Sequence, residues 1–199
     1  MPHIDYFFAT ISPFTYFAGN GLEKIAQKHG ATITYKPLDL FALFDRTGGT
    51  RLPDRHPSRL EYRLQELDRN AKLTGLPLNP KPAFVPVNPA PSSYAVIAAQ
   101  SAGGGDVGAL VQSFLRGVWA EDRDIADDDV IRDCLTKAGF DPGLADSGLL
   151  AGADTYASNL EEAVNRGVFG APFYVTDTDQ RFWGHDRLDQ LDASLAGAG

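Results

Sequence analysis

The order of elements predicts an α/β fold: a β-α-β opening, a long helical middle and a β-β-α close. Three observations carry this. A short aromatic run at 4–8 is followed at once by Ser12-Pro13 and an apolar pattern at helical spacing. Residues 39–156 then show helical periodicity, interrupted by proline and glycine. Strand character returns at 173–175 and 180–183, with a turn between them.

Each element has a physical reason. Residues 4–8 are apolar and aromatic and read as a buried strand. Pro13 suits the first helical turn, where a missing N–H costs nothing, and Ser12 suits the N-cap before it. Phe14, Phe17, Ala18, Leu22, Ile25 and Ala26 recur as one helical face, which predicts a single helix running to Gly30. Residues 32–35 alternate as a second strand that Pro37 ends. A strand-helix-strand order makes the two strands parallel.

In the middle, Ser58-Arg59-Leu60-Glu61 has the form of a capping box, opening a helix with Leu60, Leu64, Leu67 and Ala71 on one face. Residues 81–91 are proline-rich and predict an irregular connection. Helices are expected at 92–100, 107–120, 127–138 and 154–166. Asp177 lies in the turn of a hairpin, and Gly184-His185-Asp186 leads into a last helix carrying Leu188, Leu191 and Leu195. This is a thioredoxin-like topology (β-α-β … β-β-α) with a large all-helical insertion. The expected partition is 1–38 and 157–199 for the thioredoxin-like part and 39–156 for the inserted part.

The 199 residues are 43% hydrophobic and 22% charged, so one core can form without disulfides. The single cysteine, Cys134, has no internal partner and reads as a small apolar residue on a helix. A net charge of -8 disfavours nucleic acid and anionic membranes as partners. The first residues lack a basic segment followed by an apolar one, and no stretch is long enough to span a bilayer, so a cytoplasmic protein is expected. His3, His29, His56 and His185 show no metal-ligand spacing, so no metal is expected. No Gly-x-Ser-x-Gly elbow or phosphate-cradling glycine motif is present.

A thioredoxin-like fold builds its active site where the first helix begins and at a proline before the third strand. The first position here is Ser12-Pro13-Phe14-Thr15, with no sulfur. The missing Cys-x-x-Cys argues strongly against a dithiol oxidoreductase, and on this fold the protein is expected to bind a thiol, glutathione, rather than supply one. Ser12 reads either as an N-cap or as a hydroxyl that hydrogen-bonds a bound thiolate and lowers its pKa. Pro172 reads either as a trans strand boundary or as a cis proline. The cis form would turn the Ala171 backbone into the cleft to pair with an extended peptide. Asp186 reads either as an N-cap or, with His185, as the partner of a γ-glutamyl amino group.

Four stretches carry a resemblance. They are Asp5-Tyr6-Phe7-Phe8-Ala9-Thr10-Ile11-Ser12-Pro13-Phe14-Thr15-Tyr16-Phe17-Ala18, Trp119-Ala120-Glu121-Asp122-Arg123-Asp124-Ile125, Gly167-Val168-Phe169-Gly170-Ala171-Pro172-Phe173 and Phe182-Trp183-Gly184-His185-Asp186-Arg187-Leu188. Together they resemble the 2-hydroxychromene-2-carboxylate isomerase family, close to the kappa-class glutathione transferases in the DsbA-like branch of the thioredoxin fold. The resemblance implies a glutathione-dependent cis–trans isomerase in aromatic catabolism, with Ser12 beside the sulfur. Phe169, Gly170, Ala171 and Pro172 would hold the tripeptide backbone, and His185 and Asp186 the γ-glutamyl end. Asn88 would lie in the cleft, and Phe14, Tyr16 and Trp183 could line an aryl pocket or simply pack in the core.

One departure is visible. Where the family often carries an asparagine after a glycine, this chain has Thr47-Gly48-Gly49-Thr50. Arg51, Arg55 and Arg59 remain alternatives for the glycine-carboxylate contact. The implied partner is a small aromatic substrate, and a homodimer is compatible with the sequence. A kappa-like transferase or peroxidase, and a non-catalytic glutathione-binding module, are the rival readings.

Overall fold

The computed structural model describes residues 1–197. β1 (His3–Phe8) runs parallel to β2 (Thr32–Pro37), with Ile4 opposite Ile33 and Tyr6 opposite Tyr35. β3 (Phe173–Thr176) lies antiparallel on the other side of β1 and forms a hairpin with β4 (Arg181–Trp183). The sheet order is β2-β1-β3-β4. The predicted topology is therefore the observed one.

Strand alternation sends side chains to two faces. Ile4, Tyr6, Phe8 and Tyr174 enter a large core, while Phe7, Phe173 and Val175 enter a smaller one. Tyr6 stacks between Phe8 and Tyr174, at centroid distances of 4.8 and 5.2 Å. This stack continues into Phe114 and Leu115 of the inserted region. Sheet and inserted helices thus share one core.

The first helix differs from expectation. It is two helices, α1 (Pro13–Ala18) and α2 (Gly21–His29), with a break at Gly19 and Asn20. Gly19 has φ +55°, which glycine adopts without the Cβ clash of other residues. Its carbonyl accepts a hydrogen bond from Gln112 at 2.8 Å. A contact from 93 residues away thus fills the break, and the apolar spacing continues across it because both helices cover the same core.

α3 (Leu40–Thr47) was not expected. Asp39 caps it through bonds from the Phe41 and Ala42 N–H groups, and Gly48 ends it. α4 (Pro57–Thr74) begins one residue before Ser58, because Pro57 takes the first helical position and His56 caps it through Nδ1. Ser58 is therefore inside the helix, not its cap. Only Leu67 and Asn70 of α4 are buried, and Leu64 is exposed.

α5 (Ala90–Ala102), α6 (Val107–Ala120) and α7 (Asp128–Lys137) follow close to their predicted places. A short α8 (Leu144–Ser147) leads to α9 (Leu149–Asn165), which starts five residues earlier than expected and runs across the 156/157 boundary. Gly152 lets α9 lie against α5: a Cβ there would sit 2.7 Å from Tyr94 Cβ. A 3-10 turn at His185–Arg187 precedes α10 (Leu188–Leu195), so Asp186 is not its N-cap. Cys134 is buried on α7 and Sγ accepts from the Ser113 hydroxyl at 3.2 Å. Burial pushes its thiol pKa up, the opposite of an activated cysteine. Among the described residues no helix is long and apolar enough to cross a membrane.

Candidate active site

The turn leaving β1 delivers Ser12 to the N-cap of α1. Its hydroxyl oxygen accepts from Thr15 N–H at 3.2 Å and the hydroxyl donates toward the Ala171 carbonyl at 3.5 Å. Ser12 is 3% exposed. The N-cap reading of this serine holds, and its hydroxyl also faces the loop before β3. That loop carries a cis Ala171-Pro172 bond. The Pro172 carbonyl accepts from Gly184 N–H at 2.9 Å, tying the loop to the end of the hairpin. The Ala171 N–H has no protein acceptor among the described residues.

These groups open on a cavity of about 750 Å³ between the sheet-bearing part and the inserted helices. Ser12, Phe14, Phe169, Gly170, Ala171, Trp183, His185 and Asp186 all line it. Pro172 sits behind the lining, buried. Trp183 and Phe169 meet edge to face at 4.9 Å, and both rings are about half exposed into the opening. Gly170 leaves room for that indole, since a Cβ there would collide with Trp183 Nε1.

His185 is held from three sides. It stacks on Phe14 at 5.8 Å and touches Phe17 at 5.9 Å. Its Nε2 bonds the Asn70 side-chain oxygen at 2.8 Å. The Asn70 amide nitrogen is already used on the Glu66 carbonyl, so Asn70 accepts and His185 donates from Nε2. Nδ1 is then the acceptor of the neutral ring. Burial lowers the His185 pKa, and the nearby Asp186 and Glu66 charges oppose that only in part. Asp186 is exposed beside it, 3.5 Å from Arg187.

One placement expected from the sequence changes, and one open alternative is decided. Asn88 is not on this cavity: its side-chain oxygen accepts from Ala90 N–H at 3.1 Å at the start of α5, and it lines a smaller neighbouring depression with Phe84 and Asp124. A short polar side chain two residues before a helix is used locally. Tyr16 is core, 1% exposed, with its hydroxyl on the Pro77 carbonyl. Thr47, Gly48, Gly49 and Thr50 do line the cleft, at the C-terminal end of α3.

The opposite wall was largely missed by sequence reasoning. Phe41 and Phe44 come from α3, Trp119 from α6, and Arg55, Arg59 and Arg63 from the start of α4 and the turn before it. Arg51 is engaged by Asp45. Arg55 donates from Nε to the Thr50 carbonyl and lies over the Phe44 ring at 5.8 Å. Arg63 lies over Trp119 at 5.9 Å, and the Trp119 N–H donates to the Ile11 carbonyl next to Ser12. Burial lowers the Arg55 and Arg63 pKa values, and each is lowered further by a neighbouring arginine. The signal for this wall was present as two arginines four residues apart on a predicted helix, a like-charge pair on one face.

The family profile of the DsbA-like thioredoxin domain matches residues 3–196. The 2-hydroxychromene-2-carboxylate isomerase of Sphingobium xenophagum is 31% identical over 195 residues, covering 96% of this chain and 97% of the relative. Glutathione S-transferase kappa 2 of Caenorhabditis elegans is 26% identical over 210 residues, covering 97% and 91%. A solved structure of a 2-hydroxychromene-2-carboxylate isomerase superposes with TM-score 0.78 at 29% identity, covering 98% of this chain and 95% of that one. With the sheet order, the sulfur-free Ser12 turn and the Ala171-Pro172 loop already in place, the chain belongs to the 2-hydroxychromene-2-carboxylate isomerase family of DsbA-like thioredoxin proteins.

Proposed function

We propose that this chain is a glutathione-dependent cis–trans isomerase that converts 2-hydroxychromene-2-carboxylate, or a related aromatic catabolite, to the trans-o-hydroxybenzylidenepyruvate form. One observation carries the reading: a buried serine faces the Ala171 backbone in a cleft lined by aromatic rings and arginines and by no cysteine among the described residues.

The residues present fit an extended thiol peptide. The Ala171 N–H, without a protein acceptor among the described residues, and the adjacent carbonyl supply one donor and one acceptor for strand-like pairing. The Asp186 carboxylate, with His185 Nδ1 beside it, suits an ammonium group. Bound glutathione would supply a thiolate that adds to the conjugated double bond, leaving a rotatable single bond until the sulfur departs. The Ser12 hydroxyl turns its proton from the Ala171 carbonyl to that sulfur and favours its ionised form. Phe14, Phe169 and Trp183 shield the site from water and pack an aryl ring. The reaction belongs to a compartment that keeps glutathione reduced, the cytoplasm.

A kappa-like transferase reading is favoured by one observation, the full-length similarity to a kappa-class relative. The deciding experiment has two arms. A ligand that binds only the native state raises the melting temperature, so millimolar glutathione is expected to raise it and S-methylglutathione to raise it less. Turnover of 2-hydroxychromene-2-carboxylate is then compared with turnover of a chlorinated aryl acceptor. A melt unmoved by glutathione defeats the proposal. Preference for the chlorinated acceptor selects the transferase, and binding with no turnover selects a non-catalytic module.

A further inference from the structure

The cleft is positive in an acidic protein. Four arginines and two carboxylates line it, whereas the chain carries a net charge of -8. Both carboxylates have a basic neighbour: Glu66 pairs with Arg69 at 3.2 Å and Asp186 lies 3.5 Å from Arg187. Arg55, Arg59 and Arg63 have no carboxylate within salt-bridge distance among the described residues. Arg55 and Arg63 are half-buried, and Arg59 and Arg63 lie four apart on one helix face. Three like charges held together and partly desolvated cost stability unless an anion joins them.

We propose that Arg63, supported by Arg55 and Arg59, binds the carboxylate of the aryl substrate. This rests on the isomerase reading above and names the residues that would select an acidic aromatic over a neutral one. The planar guanidinium of Arg63 lies over Trp119, which leaves its donor edge free for a two-pronged carboxylate contact. Trp119 is anchored to Ile11, one residue from Ser12, and Arg63, Trp119 and Ser12 line the same cavity, so a carboxylate here leaves the attached chain in the cleft that Ser12 faces. Asn70, which holds His185, is seven residues further along α4, about 10 Å at the helical rise, so the γ-glutamyl end lies away from Arg63. Phe41, Phe44 and Trp119 supply flat surface for the ring.

The test is calorimetry on the folded full chain with trans-cinnamate and cinnamamide, with and without glutathione. Wild type is expected to prefer cinnamate. Arg63→Gln is expected to weaken cinnamate binding roughly 10- to 100-fold, the loss of a hydrogen bond to a charged group. Cinnamamide and glutathione affinities should move less than about threefold, and Arg63→Lys should be intermediate. The ligand-free melting temperature of Arg63→Gln should stay level or rise, because a repelling charge is removed. Arg59→Gln, at an exposed position, should weaken cinnamate by a few-fold even if Arg63→Gln does not fold.

Equal wild-type affinity for the acid and the amide overturns the proposal. So does a loss confined to glutathione, which would assign the arginines to its glycine carboxylate. A lowered ligand-free melting temperature with unchanged cinnamate binding would make Arg63 a packing residue only. Failure of glutathione binding alone defeats the isomerase reading while leaving the carboxylate site standing.

Discussion

The two walls of the cleft are built on different physical terms. The Ser12 wall hangs on the sheet: β1 delivers the serine, β3 follows the 169–172 loop, and Ser12 is buried with protein partners on both sides of its hydroxyl. The α4 wall stands in solvent. It buries only Leu67 and Asn70 and faces the cleft with arginines that have found no carboxylate. The first arrangement fixes one oxygen to within a hydrogen bond, which suits the role proposed for it on a bound sulfur. The second holds like charges side by side against aromatic rings, with no carboxylate partner for Arg55, Arg59 or Arg63 among the described residues.

Removing the Ser12 hydroxyl should have the largest effect. Ser12→Ala is expected to lower isomerase kcat/KM by roughly 10- to 100-fold, the weight of one hydrogen bond to a charged group. Glutathione affinity should change far less, because the contacts proposed for the Ala171 backbone and Asp186 remain. The ultraviolet absorbance of the bound thiolate should shift to higher pH. Cys134→Ala in the same assay should remain active. An inactive, folded Cys134→Ala beside an active Ser12→Ala would reverse the assignment of the sulfur-handling residue.

The walls meet where Asn70 of α4 holds His185. Asn70→Ala leaves the His185 donor without its partner and should cost about 1–3 kcal/mol of stability, read by urea denaturation. If α4 is tethered here, glutathione affinity should fall as well. Unchanged affinity would mean that the walls act independently.

The smallest effect is in pH. Burial depresses the folded pKa of His185 below its ordinary 6.5. Below about 6.5 the unfolded chain binds this proton more readily than the folded one, so stability falls with falling pH in that range. The contribution is fully present above 6.5 and lost as pH drops toward the folded value. Melts of wild type and His185→Gln between about pH 8 and 5 should converge as this contribution disappears. Parallel curves would show that His185 is not held neutral.

Legibility from sequence differed by element. α6 was predicted residue for residue because its apolar face is broad and its ends are marked by Asp106 and the loop after Ala120. α3 was passed over although its caps, Asp39 and Gly48, stand in the sequence; its eight residues are too few for periodicity to speak. The break at Gly19 was invisible for the opposite reason, since one apolar pattern served two helices. Asn88 was drawn to the cleft by resemblance, whereas the backbone N–H at the start of α5 claims its side chain.

Ser12, the 169–172 loop and the His185-Asp186 pair stand out through their places in the β-α-β … β-β-α order and through the family resemblance; taken locally, each reads only as a cap, a strand entry or a turn. The chain alone also determined the alternation that makes the sheet and its order. What only the tertiary structure decided is the arginine wall and its aromatic backing. Arg63 and Trp119 are 56 positions apart, and neither helix pattern says which faces meet. Packing of α3, α4 and α6 around the Ser12 turn brings those side chains to one cavity, because residues this far apart in sequence meet only once the helices have packed.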